Sequence, residues 1–173
     1  MFYVFHGDDS HSQNAMLNKL KKRLGDAAML DLNTTRLDSK TNFTSLRQAC
    51  DVVPFLAKAR LVIVSNLLTS KPDKKFIKDL SAYLPEMPET TRLVFLESDK
   101  LGARNPILKL AETAENGYVK LFKRPEGSAL ARWIQEKVTE HNGRISPRAA
   151  HLLAEQVGND LQILDHEIEQ LVL

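Results

Sequence analysis

Five short apolar runs, separated by segments with helical patterns, constrain the fold of this chain more than any other feature of its sequence. The clearest are residues 60–64 (RLVIV) and 92–96 (RLVFL). Their apolar residues are nearly continuous, which is typical of strands buried on both faces of a parallel sheet. The other predicted strands are residues 2–5, 28–32 and 118–122. The sequence therefore predicts an α/β fold, with a five-stranded parallel sheet flanked by helices.

The strand pattern stops after residue 122, and three amphipathic helical patterns follow. The first places Leu130, Trp133, Ile134 and Val138 on one stripe, with Trp133 read as core rather than as a subunit contact. The second begins at Ser146 and Pro147, which are typical of a helix N-cap and first position, and ends at Gly158. The third carries Leu161, Leu164, Ile168 and Leu171. We expect an α/β domain over residues 1–124 and a three-helix lid domain over 125–173.

Composition excludes several classes of function. The net charge of +2 does not favour a general nucleic-acid-coating surface. No run approaches the ~18–20 apolar residues that cross a bilayer, and the N-terminus does not resemble a signal peptide. We therefore expect a cytoplasmic protein with no membrane partner. The single cysteine, Cys50, excludes an internal disulfide and is read as a buried, inert thiol rather than a reactive one.

The first strand, a glycine turn and a helix reproduce the layout of a phosphate-binding P-loop, G-x-x-x-x-G-K-[ST]. Gly7 stands at the first glycine position. The second glycine, the lysine and the magnesium-binding hydroxyl are replaced by Ser12, Gln13 and Asn14. The strand over residues 60–64 should end in acidic residues that hold magnesium, but it is followed by Ser65 and Asn66. Because both essential places are altered, we expect no ATP hydrolysis and no nucleotide cofactor.

Two carboxylates, Asp8 and Asp9, lie where phosphates would bind and would repel them. A metal site formed by these residues with His6 or His11 is an alternative, but the spacing fits no strong ligand pattern. Acidic residues also stabilise the N-terminus of a helix by capping its amides, and this interpretation is favoured. The chain contains no recognisable nucleophile elbow or other catalytic set.

The order and spacing of five segments resemble those of a known family. They are residues 2–9 (FYVFHGDD), 54–56 (PFL), 60–64 (RLVIV), 157–161 (VGNDL) and 167–171 (EIEQL). Together they resemble the delta subunit of bacterial DNA polymerase III, which opens the sliding clamp within the clamp loader. The resemblance extends over almost the whole chain.

The resemblance implies an AAA+-type sheet of order 5-1-4-3-2 followed by a three-helix lid. It also implies a nucleotide site that does not bind ATP productively. The lid position of the nucleotide-sensing arginine in active relatives is occupied by Leu161, followed by Gln162, and the chain contains no Ser-Arg-Cys segment. Family members continue into a C-terminal helical collar, so we expect that this 173-residue chain is a fragment without it. The implied partners are the sliding clamp (beta subunit), the gamma/tau and delta prime subunits of the loader and primed DNA.

The segment that would bind the clamp, by this resemblance, is Val53, Pro54, Phe55 and Leu56, with Phe55 as the anchor. An aromatic residue on a loop supplies a large apolar area at low entropic cost, and Pro54 stiffens the loop. Alternatively, Phe55 fills the core beneath the following strand, in which case its removal destabilises the fold.

Basic residues form three clusters, at residues 19–23, 71–78 and 120–124. The strongest candidate for contact with DNA phosphates comprises Lys71, Lys74, Lys75 and Lys78. Lysines opposite an apolar stripe are more commonly a solvated helix face. Two further functions therefore stay open: an atypical P-loop ATPase, and a DNA-binding regulator without a clamp partner.

Overall fold

The computed structural model describes residues 1–172 and contains two compact units. The first unit is Met1–Phe122, and the second begins at Lys123. The elements of the first unit are, in chain order, β1 (Phe2–His6), α1 (Ser10–Leu24), α2 (Ala27–Leu32), β2 (Thr34–Leu37), α3 (Phe43–Asp51), β3 (Arg60–Ser65), α4 (Lys74–Tyr83), β4 (Thr91–Glu97), α5 (Pro106–Thr113) and β5 (Gly117–Leu121). The second unit contains α6 (Ser128–Glu140), α7 (Pro147–Val157) and α8 (Leu161–Val172).

All five strands are parallel, in the order β2-β3-β4-β1-β5. This is the predicted order 5-1-4-3-2, which is confirmed. In the register of the sheet, His6 at the end of β1 lies beside Glu97 of β4 and Leu121 of β5. The carboxyl ends of these three strands therefore meet next to Gly7, where a nucleotide site would be expected.

Side chains of each strand alternate between two apolar layers, as a pleated sheet requires. Val62 and Val64 of β3 belong to the layer covered by α3, α4 and α5. Leu61 and Ile63 belong to the opposite layer, which includes residues of α1 and α2. Helices cover both faces, which explains why the central strands are apolar at almost every position.

The cysteine is part of the first of these layers. Cys50 lies in α3 and is fully buried. Burial raises the pKa of its thiol to about 12, so the thiol stays protonated near neutral pH. The predicted burial of this thiol is confirmed.

The predicted strand over residues 28–32 is wrong, because this segment belongs to α2. Asp26 caps the helix by accepting hydrogen bonds from the N–H groups of Ala28 and Met29. Alanine, methionine and leucine are also good helix formers. The strand instead begins at the β-branched Thr34, within residues 33–41, whose polar composition predicts a loop.

The three helices of the second unit share one apolar core. It comprises Leu130, Ala131, Ile134, Val138, Ala150, Leu161, Leu164 and Ile168. Trp133 packs against this core. The side chain of Ser146 caps α7 by accepting from the N–H of Ala149, and Pro147 is the first helical residue, as predicted. Within residues 1–172, no helix combines the length and apolar character needed to cross a membrane.

Candidate functional site

Gly7 is packed tightly at the ends of β1, β4 and β5. Its φ is +124°, which side chains other than glycine rarely allow. A Cβ atom here would lie 2.0 Å from the carbonyl oxygen of Phe122. Its N–H points to the carbonyl oxygens of Glu97 and Asp99, each at 3.2 Å. A working phosphate loop turns such N–H groups toward the ligand, whereas this one contacts protein carbonyls.

Gln13, at the position of the P-loop lysine, is buried and points into the strand ends. Its amide nitrogen Nε2 donates to the carbonyl oxygens of Gly7 at 2.9 Å and Glu97 at 3.0 Å. Both partners are acceptors, so the nitrogen must face them. The side chain therefore links α1 to the ends of β1 and β4, in a role that a phosphate-binding lysine does not perform.

Asp9 is the N-cap of α1. Its carboxylate accepts a hydrogen bond of 2.9 Å from the N–H of Ser12, and its own N–H donates to the carbonyl of Phe122. The favoured interpretation of this acidic pair is thus confirmed for Asp9, while Asp8 is exposed. Because the helix already begins at Ser10, its first turn occupies the segment that precedes the lysine position.

His6 is buried at the end of β1 and holds the loop that follows β4. Its Nδ1 accepts the N–H of Leu101 at 3.0 Å, which requires an unprotonated nitrogen. Burial, followed by the charge of Lys100, lowers the pKa of His6. The alternative metal site with His6 or His11 gains no support, since among residues 1–172 no group of three or more His, Cys, Asp or Glu could hold a metal ion.

Glu97 is a buried carboxylate that sequence reasoning missed. It has no exposed surface, and its Oε1 accepts the N–H of Leu68 at 3.0 Å. Its Oε2 accepts the N–H of Thr69 at 2.9 Å and the hydroxyl of the same residue at 2.8 Å. Burial raises the pKa of Glu97, and these hydrogen bonds oppose the rise. The carboxylate fastens the segment after β3 to the end of β4; an acidic residue at a strand end gives no signal of this in the sequence.

Asn66 follows β3, where an active ATPase would carry its magnesium-binding acid. Its Oδ1 accepts hydrogen bonds from the N–H of Ser98 at 2.9 Å and from the hydroxyl of Ser98 at 2.8 Å. It adopts a φ of 55°, in the left-handed region that asparagine tolerates. Asn66 therefore links the loops after β3 and β4.

A second feature of the unit is an exposed apolar loop between α3 and β3. The side chains of Val53, Phe55 and Leu56 are 80%, 63% and 74% exposed, and Pro54 is half-buried. Large apolar side chains exposed next to one another are a common mark of an interaction surface. The alternative that Phe55 fills the core is wrong, because most of its surface is accessible to solvent.

The end of α3 that leads into this loop is firmly held. The last carbonyl groups of a helix have no partner within it and need others. Here the carbonyl of Ala49 accepts Nε of Arg60 at 2.7 Å, and that of Cys50 accepts the hydroxyl of Thr91 at 2.7 Å. The loop therefore starts from a fixed position.

The middle of the loop is attached to the junction between α2 and β2. The N–H of Phe55 donates to Oδ1 of Asn33 at 2.6 Å, and the carbonyl of Phe55 accepts Nδ2 of the same side chain at 2.9 Å. The main chain of Phe55 is thus bound on the side toward the protein, while its ring stays in solvent.

The four lysines singled out from the sequence lie at and before the start of α4. Lys71, Lys74, Lys75 and Lys78 are all exposed. Asp73 caps the helix by accepting the N–H of Phe76 at 2.7 Å. The apolar Phe76 and Ile77 pack against the core, so the lysines occupy the outer surface of this amphipathic helix.

Two solved structures share this architecture. The Bacillus subtilis DNA clamp loader delta protein matches with a TM-score of 0.81 and 20% identity, over 99% of this chain and 52% of its own. A DNA polymerase III gamma subunit-related protein from Thermotoga maritima matches with a TM-score of 0.56 and 13% identity, over 98% of this chain and 53% of its own. The chain thus spans about half the length of either protein. These matches show that the chain shares the fold of both proteins, which is the fold class that the resemblance implied.

The sequence defines the family within that class. The family model described as DNA polymerase III, delta subunit, matches residues 3–121, more than half of the 173 residues. No curated protein sequence matches the chain. The chain belongs to the DNA polymerase III delta subunit family, and the resemblance noted in the sequence is confirmed.

Proposed function

We propose that this chain is a non-catalytic clamp-loader element that binds the sliding clamp through Val53, Pro54, Phe55 and Leu56 and stabilises the opened ring. The observation that carries the proposal is the exposure of the Val53, Phe55 and Leu56 side chains on a loop whose main chain is fixed. Membership of the delta subunit family supports the sliding clamp as the proposed partner.

The physical argument for this loop rests on preorganisation. Burying exposed apolar side chains in a pocket makes the free energy of binding more favourable. For a mobile loop, part of this stabilisation is offset by the conformational entropy that is lost when the loop becomes ordered. The hydrogen bonds at Cys50 and Phe55 hold the loop before a partner arrives. Pro54 further restricts the main chain. The loop therefore suits a docking role.

Stabilising the open ring requires a preference for that form. A protein shifts an equilibrium only by the difference in its affinity for the two states. We propose that the loop binds near a subunit interface of the clamp and favours the open ring. The gamma/tau and delta prime subunits would control access to the loop in the assembled loader. Binding of the chain to purified sliding clamp, compared with the Phe55→Ala variant, tests the proposal.

The chain itself is proposed not to bind or hydrolyse ATP. The N–H of Gly7 and the side chain of Gln13 contact protein carbonyls, and Asn66 stands where the magnesium-binding acid would be. Asp8 and Asp9 add negative charge beside the place of the phosphates. These contacts argue against the alternative of an atypical P-loop ATPase.

Restoring the lysine alone is expected not to restore nucleotide binding. In Gln13→Lys, a charged group replaces a buried amide that donates to Gly7 and Glu97. We expect no saturable binding of ATP and magnesium by calorimetry for either protein. We also expect a loss of about 1–3 kcal/mol in the free energy of unfolding. The control is Asn14→Lys, which adds the same charge at an exposed position and should leave stability nearly unchanged. Saturable ATP binding by the wild type would contradict the proposal.

A further proposal, resting on charge and exposure, is that Lys71, Lys74, Lys75 and Lys78 contact primed DNA. The last three are exposed on α4, and Lys71 is exposed just before it. We expect the double variant Lys74→Glu/Lys75→Glu to bind DNA more weakly and with a lower salt dependence, by about one unit of slope for each phosphate that is no longer neutralised. Fluorescence anisotropy across a salt series measures both effects.

The matched control reverses Lys22 and Arg23 at the end of α1, with the same change in net charge. If both double variants show the same fall in DNA affinity, the effect is one of net charge, and the specific contact is excluded. DNA binding without any affinity for the sliding clamp would instead favour the DNA-binding regulator.

A further inference from the structure

Asn33 is a buried asparagine between α2 and β2. It has no exposed surface. Its N–H donates to the carbonyl of Leu30 at 3.0 Å, and its carbonyl accepts the N–H of Leu61 at 2.9 Å. The main chain of Asn33 is therefore fixed both by the end of α2 and by the start of β3. Its side chain thus extends from a fixed position.

The side chain of Asn33 forms three hydrogen bonds to main-chain groups. Nδ2 donates to the carbonyl oxygens of Met29 at 2.8 Å and of Phe55 at 2.9 Å. Oδ1 accepts the N–H of Phe55 at 2.6 Å. Two of the three join residues that are 22 positions apart in the sequence. Both polar groups of Phe55 are thus satisfied by a single buried amide.

We infer that Asn33 is a positioning residue, which holds the main chain of Phe55 so that its ring is presented to the clamp in one orientation. The inference rests on the proposed function of the loop. Leu56, the next residue, has a φ of 49°, which is unfavourable for a bulky side chain. A conformation of this kind persists when surrounding contacts impose it, and the paired hydrogen bonds to Phe55 are such contacts.

Only an asparagine side chain has the required set of groups at this length. An aspartate retains the acceptor for the N–H of Phe55 but turns a second oxygen toward the carbonyls of Phe55 and Met29. An alanine removes all three hydrogen bonds. In both variants the loop gains alternative conformations, and the fraction that can bind the clamp falls.

The test measures the affinity for purified sliding clamp of the wild type, Asn33→Ala and Asn33→Asp, together with urea unfolding of each. We expect about tenfold weaker binding for both variants after correction for the folded fraction. The control is Asn116→Ala, which removes another asparagine donor to a main-chain carbonyl, that of Leu84 at 3.0 Å. It should lower stability while leaving the affinity unchanged.

A second measurement does not depend on the variants folding. Hydrogen exchange of the wild type should show the amide of Phe55 to be strongly protected despite the exposure of its side chain. Rapid exchange at this amide would overturn the inference. So would unchanged clamp affinity in a folded Asn33→Ala, provided that Phe55→Ala does weaken binding. If Phe55→Ala binds the clamp normally, the proposed function fails, while protection of the Phe55 amide still reports whether Asn33 holds the loop.

Discussion

Replacing Phe55 with alanine is expected to remove most of the affinity for the sliding clamp while leaving the free energy of unfolding within about 0.5 kcal/mol of the wild type. The ring is 63% exposed, so its removal creates no cavity in the core. An aromatic anchor at the centre of an interface commonly contributes about 2–4 kcal/mol. That corresponds to roughly 30- to 1000-fold weaker binding.

Calorimetry or surface-based binding to purified clamp, together with urea unfolding, measures both quantities. Tyr118 provides a matched control, because it is another partly exposed aromatic residue, 41% accessible, on the edge strand β5. The loop that contains Phe55 leads into β3, near the other edge of the sheet. Tyr118→Ala should leave the clamp affinity unchanged. Unaltered binding by Phe55→Ala would rule out the loop as the clamp contact, and a large loss of stability would assign the ring to the fold.

Replacing Gly7 with alanine is expected to lower the free energy of unfolding by more than about 3 kcal/mol. Two effects combine. The φ of +124° is unfavourable for alanine, at a cost of about 1–3 kcal/mol. The added methyl group would also lie 2.0 Å from the carbonyl oxygen of Phe122, so the end of β1 or the segment at Phe122 must move.

Gly25→Ala separates the two effects, since Gly25 also has a positive φ, +141°, but its added methyl group would meet no atom of the described residues within 4 Å apart from its chain neighbours. We expect only the conformational part of the loss there. Urea unfolding curves for both variants measure the difference. Equal losses would mean that the approach of Phe122 to Gly7 does not constrain the fold. The expected difference would show that this glycine is required for packing at the strand ends, whether or not a phosphate ever binds.

The altered phosphate loop illustrates how far sequence alone could lead. The residues at its key positions, Gln13 above all, predicted a site unsuited to ATP. They did not predict that Gln13 would donate to the carbonyls of Gly7 and Glu97. A glutamine has both donors and an acceptor, and its partners depend on which strand ends become neighbours. That adjacency follows from the order of the sheet.

The error at α2 has a local origin with a structural consequence. Residues 28–32 (AMLDL) form a short, mostly apolar run, and so short a run fits either a strand or a helix. The side chain of Asp26 caps the N-terminus of this segment and so favours the helix. The strand then had to begin after Asn33, which left this side chain buried beside the main chain of Phe55.

The sequence by itself determined four of the five strands, the helical C-terminal part, the loss of the P-loop residues and the family, because each follows from a local pattern or from residue identity. It also marked Val53, Pro54, Phe55 and Leu56, although it left the place of Phe55 open between core and surface. Only the tertiary structure decided that Phe55 is exposed, that Asn33 holds its main chain and that Glu97 is buried among amide donors. The physical reason is that each of these depends on hydrogen bonds between residues far apart in the chain, whose partners are set when the sheet assembles.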